Sequence, residues 1–116
     1  MRGVRVRFLN AKSITKTLKE RAERLLQEDP NILEISLFGS LVKGNYVPGS
    51  DADIFILLKR DERRLIDRVP DFLDALRGVE VPLEVFPYTM EEVENMKEEG
   101  FMKTILKEKV LLAKRG

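Results

Sequence analysis

Residues 37–58 read LFGSLVKGNYVPGSDADIFILL, and the fold and its chemistry turn on this stretch. It closes one apolar run, ILEISLF (32–38), and opens a second, ADIFILL (52–58). Runs of this length with little polar interruption predict strands buried on both faces. Between them stands Gly39-Ser40, then ten residues from Leu41 to Ser50, then Asp51-Ala52-Asp53. Residues i and i+2 of a strand share a side, with Cα atoms roughly 7 Å apart. Asp51 and Asp53 are therefore expected to project together, while Ala52, Ile54, Ile56 and Leu58 turn into the core. Two adjacent carboxylates repel each other unless a cation sits between them. Taken alone, the pair fits a metal site or a loop-capping pair of acids equally well.

Working outward, residues 13–28 predict a helix with Ile14, Leu18, Ala22, Leu25 and Leu26 on one face, stopped at Asp29-Pro30-Asn31. Residues 61–77 carry a second helical pattern through Leu65, Val69, Phe72, Leu73 and Leu76. Pro70 lies inside it and predicts a kink or two short helices. Residues 80–87, EVPLEVFP, read as a third strand, with Pro82 placing it at an edge or marking its start. Thr89 and Glu92 form a capping box for a helix to about Glu99. A short helix over 101–108 and a last strand over 110–113 complete the chain. The expected fold class is α/β (α+β): a small mixed sheet of about three to five strands with helices packed against it, forming one domain over 1–116.

Glu84 interrupts the apolar third strand, and a lone buried charge there is costly. If that strand lies beside 52–58, Glu84 reaches the face of the two aspartates, and three carboxylates suit a two-metal platform. The alternative is an edge-strand glutamate facing water. The Gly39-Ser40 turn offers free backbone N–H groups at a helix start, a pattern that binds phosphate. Lys43, one turn on, and Ser50, beside Asp51, join the nucleotide-binding candidates.

Composition narrows the chemistry further. The 116 residues include no Cys and no His, which removes thiolate nucleophiles and the Ser-His-Asp triad. Carboxylates, hydroxyls, Lys and Arg remain, and they fit Mg²⁺ or Mn²⁺ with oxygen ligands. The 21 basic and 20 acidic residues nearly cancel, so there is no global pull toward nucleic acid. No apolar run is long enough for a membrane span, and the start lacks a signal-peptide pattern; a cytoplasmic protein is expected. Abundant Lys, Glu and Arg suit a thermophile.

The combination of Gly39-Ser40, Asp51-x-Asp53 and a later acid resembles the signature of the minimal nucleotidyltransferases, within the DNA polymerase beta-like superfamily. The likeness runs over roughly 13–112, with LEVFPYT and FMKTILKEKVLL matching more loosely. It implies a polymerase beta-like fold and Gly39 and Ser40 on the nucleotide phosphates. It further implies Asp51, Asp53 and Glu84 as catalytic residues on two Mg²⁺ ions. Relatives often carry Asp at the place of Glu84, and Arg or Lys at that of Lys43. Many such proteins are antitoxins that move AMP from ATP onto a tyrosine of a helical HEPN-type toxin. The resemblance thus implies ATP as substrate and a HEPN-type partner; a homodimer is also compatible. Two other readings stay open: a non-catalytic subunit that neutralises its partner by contact, and a transferase acting on a small molecule or RNA end. Phe101, Met102, Ile105 and Leu106 form a contact patch under the first of these, or simply cap the core. Arg2, Arg5, Arg7, Lys114 and Arg115 touch phosphates under the second, or are solvated ends.

Overall fold

A computed structural model of the protein describes the backbone of residues 2–44 and 51–116 and the side chains of 12–44 and 51–116. Ser50 and the side chains of Arg2, Arg5 and Arg7 lie outside the described residues.

Helix α1 spans Arg2–Glu28, β1 Ile32–Phe38, α2 Ser40–Lys43 and β2 Ala52–Leu58. These are followed by α3 Leu65–Ala75, β3 Leu83–Thr89, α4 Met90–Met96, α5 Gly100–Glu108 and β4 Val110–Lys114. The strands form one mixed sheet in the order β3-β2-β1-β4. β1 runs antiparallel to β2 and β4, and β2 runs parallel to β3 across the α3 crossover. The two strands that flank Gly39-Ser40 and Asp51-Ala52-Asp53 are thus the two central ones, and their continuous apolar character follows from burial on both faces.

Alternation sorts the side chains of the central strands. One face carries Ile35, Leu37, Ala52, Ile54, Ile56, Leu58 and Val85, packed under Leu18 and Ala22 of α1 and Phe72 and Leu76 of α3. The other carries Phe38, Phe55 and Tyr88, covered by Met102 and Ile105 of α5. Helices therefore lie on both faces.

Several expectations are met and several are corrected. The capping box forms: the Glu92 N–H donates to Thr89 Oγ1 (3.2 Å), and the Thr89 N–H donates to Glu92 Oε1 (2.9 Å). Pro70 does not divide the helix; α3 runs unbroken through it. The N–H missing at Pro70 would have bonded the carbonyl of Ile66, a residue 70% exposed, where water can replace it. Helix α3 begins only at Leu65, because residues 61–64 are held by Arg68 instead. Its buried guanidinium donates to the carbonyls of Asp61 (3.1 Å), Arg63 and Pro87 (2.9 Å), and pairs with both oxygens of Glu92 (2.7 and 2.9 Å). That one side chain ties α3, the end of β3 and the start of α4 together.

The third strand begins after Pro82 and extends to Thr89, two residues beyond expectation. Pro87 is tolerated because β3 is an edge strand, where a missing donor breaks no ladder. Arg115 is not a solvated end: its guanidinium donates to the carbonyls of Ile32 (2.9 Å) and Asp29 (3.0 Å), fastening β4 to the β1 entry. Glu34, buried inside β1, is satisfied by the Ser36 hydroxyl (2.6 Å) and the Lys109 ammonium. Among the described residues, no helix is long and apolar enough to cross a membrane.

Candidate active site

Gly39 stands where β1 ends and α2 begins, at φ 83° and ψ −153°. This conformation is essentially closed to residues with a Cβ. Its carbonyl accepts from the N–H groups of Val42 (3.1 Å) and Lys43 (3.0 Å), which closes the single turn of α2. The N–H groups of Ser40 and Leu41, at the helix start, have no acceptor within the helix. A second constraint comes from across the sheet. The Asp53 carboxylate lies so close against Gly39 that any Cβ there would collide with it. Glycine is thus required by the backbone and by its neighbour, and the turn and the carboxylate form one unit.

Asp53 is the second residue of β2. Its Cα partners are Phe38 on β1 and Glu84 on β3, so phenylalanine, aspartate and glutamate form one row across three strands. This meets the condition set for Glu84, since its strand lies beside β2 and its side chain shares the aspartate face. Glu84 is also exposed on an edge strand, as the alternative reading expected, so the cost of a buried charge is not incurred. Asp51 precedes the strand and is exposed, and the Ala52 N–H donates to the Pro82 carbonyl (2.9 Å), anchoring the Asp51–Asp53 segment on β3. Asp53 is partly buried, and its carboxyl is raised above the ordinary value by that burial first, then by the negative charge of Glu84 and of Asp51.

Among the described residues, no three acidic side chains converge into a ready ligand cage. The carboxylates are close enough for Glu84 and Asp51 to act on Asp53 through their charge. The donor set fits a divalent cation nonetheless. All three groups supply only oxygen, which suits Mg²⁺, and the carboxylate nearest the core is the one held against a glycine that leaves it room.

Lys43 is engaged by an acidic partner from another helix. Its ammonium pairs with Glu108 of α5 at 3.2 Å, with the lysine half-exposed. The pair joins the end of the Gly39–Lys43 turn to the second helical layer.

An aromatic group beside the row escaped the reading of the sequence. The Phe38 and Phe86 rings lie 5.4 Å apart, and Phe101 of α5 sits 5.8 Å from the first and 5.2 Å from the second. A signal was available for two of the three. Phe38 immediately precedes Gly39, and Phe86 follows Glu84 by two residues and so shares its face. Phe101 joins them only through the docking of α5. Of the proposed contact patch, Met102 and Ile105 are buried in the core and Leu106 partly so, while Phe101 remains half-exposed.

The family model described as "nucleotidyltransferase domain" matches residues 16–112. No curated protein matches the chain in sequence. Among solved structures, a candidate nucleotidyltransferase from Sulfolobus solfataricus is similar, with 27% identity and a TM-score of 0.67 over 93% of this chain and 86% of that one. A protein of a toxin–antitoxin complex crystallised with AMP-PNP shares the fold at 18% identity and a TM-score of 0.53, over 84% of this chain and 73% of that one.

Proposed function

The chain belongs to the nucleotidyltransferase domain family, and on that premise we propose that it transfers AMP from ATP to a hydroxyl of a partner protein, acting as an antitoxin. The observation that carries this reading is the row across the sheet, in which Asp53 meets Glu84 on one side and rests against Gly39. It sets two carboxylates in adjacent strands against the Gly39-Ser40 turn, with Asp51 one residue before the strand.

In this reading the N–H groups of Ser40 and Leu41 and the Ser40 hydroxyl take the outer phosphates, with Lys43 and Ser50 as further nucleotide contacts. Asp51, Asp53 and Glu84 would hold two Mg²⁺ ions. When bound, the ions would neutralise charge on the phosphates and on the leaving pyrophosphate. Glu84, the most solvent-exposed member of the row, takes the proton of the acceptor hydroxyl. The acceptor oxygen then forms its bond to the α-phosphorus. The α–β phosphoanhydride bond breaks, and pyrophosphate departs. The lack of His and Cys leaves a carboxylate as the natural base. The antitoxin role draws support from the fold shared with the toxin–antitoxin protein crystallised with AMP-PNP. The helical HEPN-type partner bearing the acceptor tyrosine is carried over from the resemblance of the sequence to the minimal nucleotidyltransferases.

The test incubates the chain with α-labelled ATP, Mg²⁺ and the product of the adjacent gene. Label should appear on that product and be lost with Asp51→Asn or Asp53→Asn. No transfer beside a working control transferase would overturn the proposal.

A further inference from the structure

We propose that Phe101, braced by Phe38 and Phe86, is the stacking platform for the nucleobase of the bound nucleotide. This rests on the nucleotide reading above and adds to it the part of the site that holds the base. Phe101 is 49% exposed, although it stands next to Met102, which is 1% exposed, at the start of the same helix. Its ring lies at 66° to Phe38 and 63° to Phe86, both edge-type contacts, so two neighbours fix its orientation without covering it. A ring held in this way loses little freedom when something stacks upon it.

Position selects the occupant. Phe38 is joined in sequence to Gly39 and paired across the ladder with Asp53, and Phe86 follows Glu84 by two residues on the same face. The bracing rings are thus bounded by the phosphate turn on one side and the third carboxylate on the other. Phe38 adjoins Gly39 in the chain and its ring lies 5.8 Å from that of Phe101, so a nucleotide whose phosphates lie on Gly39-Ser40 would direct its base toward this cluster. Every base has a π-face, and stacking on an aromatic side chain needs no hydrogen-bonding partner. The platform therefore confers affinity for a nucleotide over bare polyphosphate, with little choice among bases.

The chain has no Trp, so Phe101→Trp introduces a sole indole as a reporter. The probes are ATP and inorganic tripolyphosphate, each with Mg²⁺. Phe101→Ala and Phe101→Leu should both weaken ATP binding by about 5- to 150-fold, the range of base stacking. Both should leave tripolyphosphate binding unchanged, and Leu keeps the apolar cap, which separates stacking from folding. The indole of Phe101→Trp should be quenched by ATP and not by tripolyphosphate. ATP affinity unchanged in both variants, or equal losses for both probes, would overturn the platform. Normal ATP binding with loss of a protein partner would assign Phe101 to that partner instead. If the unaltered chain binds neither probe, the nucleotide reading falls and the platform with it. If it binds both and Phe101 is silent, only the platform falls.

Discussion

Replacing Gly39 with Ala should damage the fold and the site together, and by separable amounts. The φ 83°, ψ −153° conformation costs a residue with a Cβ about 1–3 kcal/mol. For a domain of this size about 4 °C of Tm accompanies each kcal/mol, so a fall of roughly 4–12 °C is expected. The new methyl also occupies the place of the Asp53 carboxylate, which must move. A displacement near 1 Å in a positioned group costs roughly 100-fold in function. Gly44→Ala is the control, since Gly44 also has φ 83° but no described atom lies within 4 Å of an added Cβ. It should lose about 1–2 kcal/mol and retain affinity. Thermal melts and calorimetric titration with Mg²⁺ and ATP read both quantities. If Gly39→Ala binds as tightly as Gly44→Ala, the coupling of turn and carboxylate is refuted.

Asp53→Asn removes a charge that burial, Glu84 and Asp51 all oppose. At about 7 Å and an effective dielectric of 20 to 80, one such repulsion is worth about 0.6–2.4 kcal/mol before screening by salt. In EDTA the variant should therefore melt about 2–10 °C higher than the parent, and a lower melting point would contradict the charge argument. The same group sets a pH dependence. Its folded-state carboxyl is raised, so its unfavourable contribution vanishes below the ordinary value of 3.8 and grows as pH climbs through the raised value. The stability gain of Asp53→Asn should shrink on acidification from neutral pH, and a gain constant with pH would count against it. Glu92 has the opposite sign, its carboxyl being lowered first by its hydrogen bond from Arg68. Its stabilising contribution is present above 4.5 and lost as pH falls below that toward the lowered value. Arg68→Met should cost about 3 kcal/mol in urea unfolding, because it orphans three carbonyls and Glu92, and should flatten the acid limb; a loss under 1 kcal/mol would mean the hub is redundant. Glu108→Gln should release Lys43 and tighten ATP about 2- to 5-fold, the scale of an exposed ion pair; weaker binding would show that the pair serves the site as it stands.

The central strands were legible because a continuous apolar run marks a strand buried on both faces. A spacing of two was what marked Asp51 and Asp53 as a candidate pair. Glu84 needed one long-range fact, the parallel pairing of β3 with β2, and the reading made its role conditional on that fact. What stayed illegible came from contacts distant in sequence. Arg68 carried no signal in the sequence, because its burial depends on Pro87 and Glu92. Arg115 looked like a solvated end until β4 was seen to close on β1. The Lys43–Glu108 pair and the place of Phe101 require α5 to fold back over the sheet. No local periodicity encodes that return.

The most direct measurement of the central claim is calorimetric titration of the chain with ATP, with and without Mg²⁺, beside the Asp51→Asn/Asp53→Asn double variant. The account predicts saturable ATP binding that requires Mg²⁺ and is lost in a double variant that melts no lower than the parent. Binding of equal strength without Mg²⁺, or undiminished in the folded double variant, would contradict it.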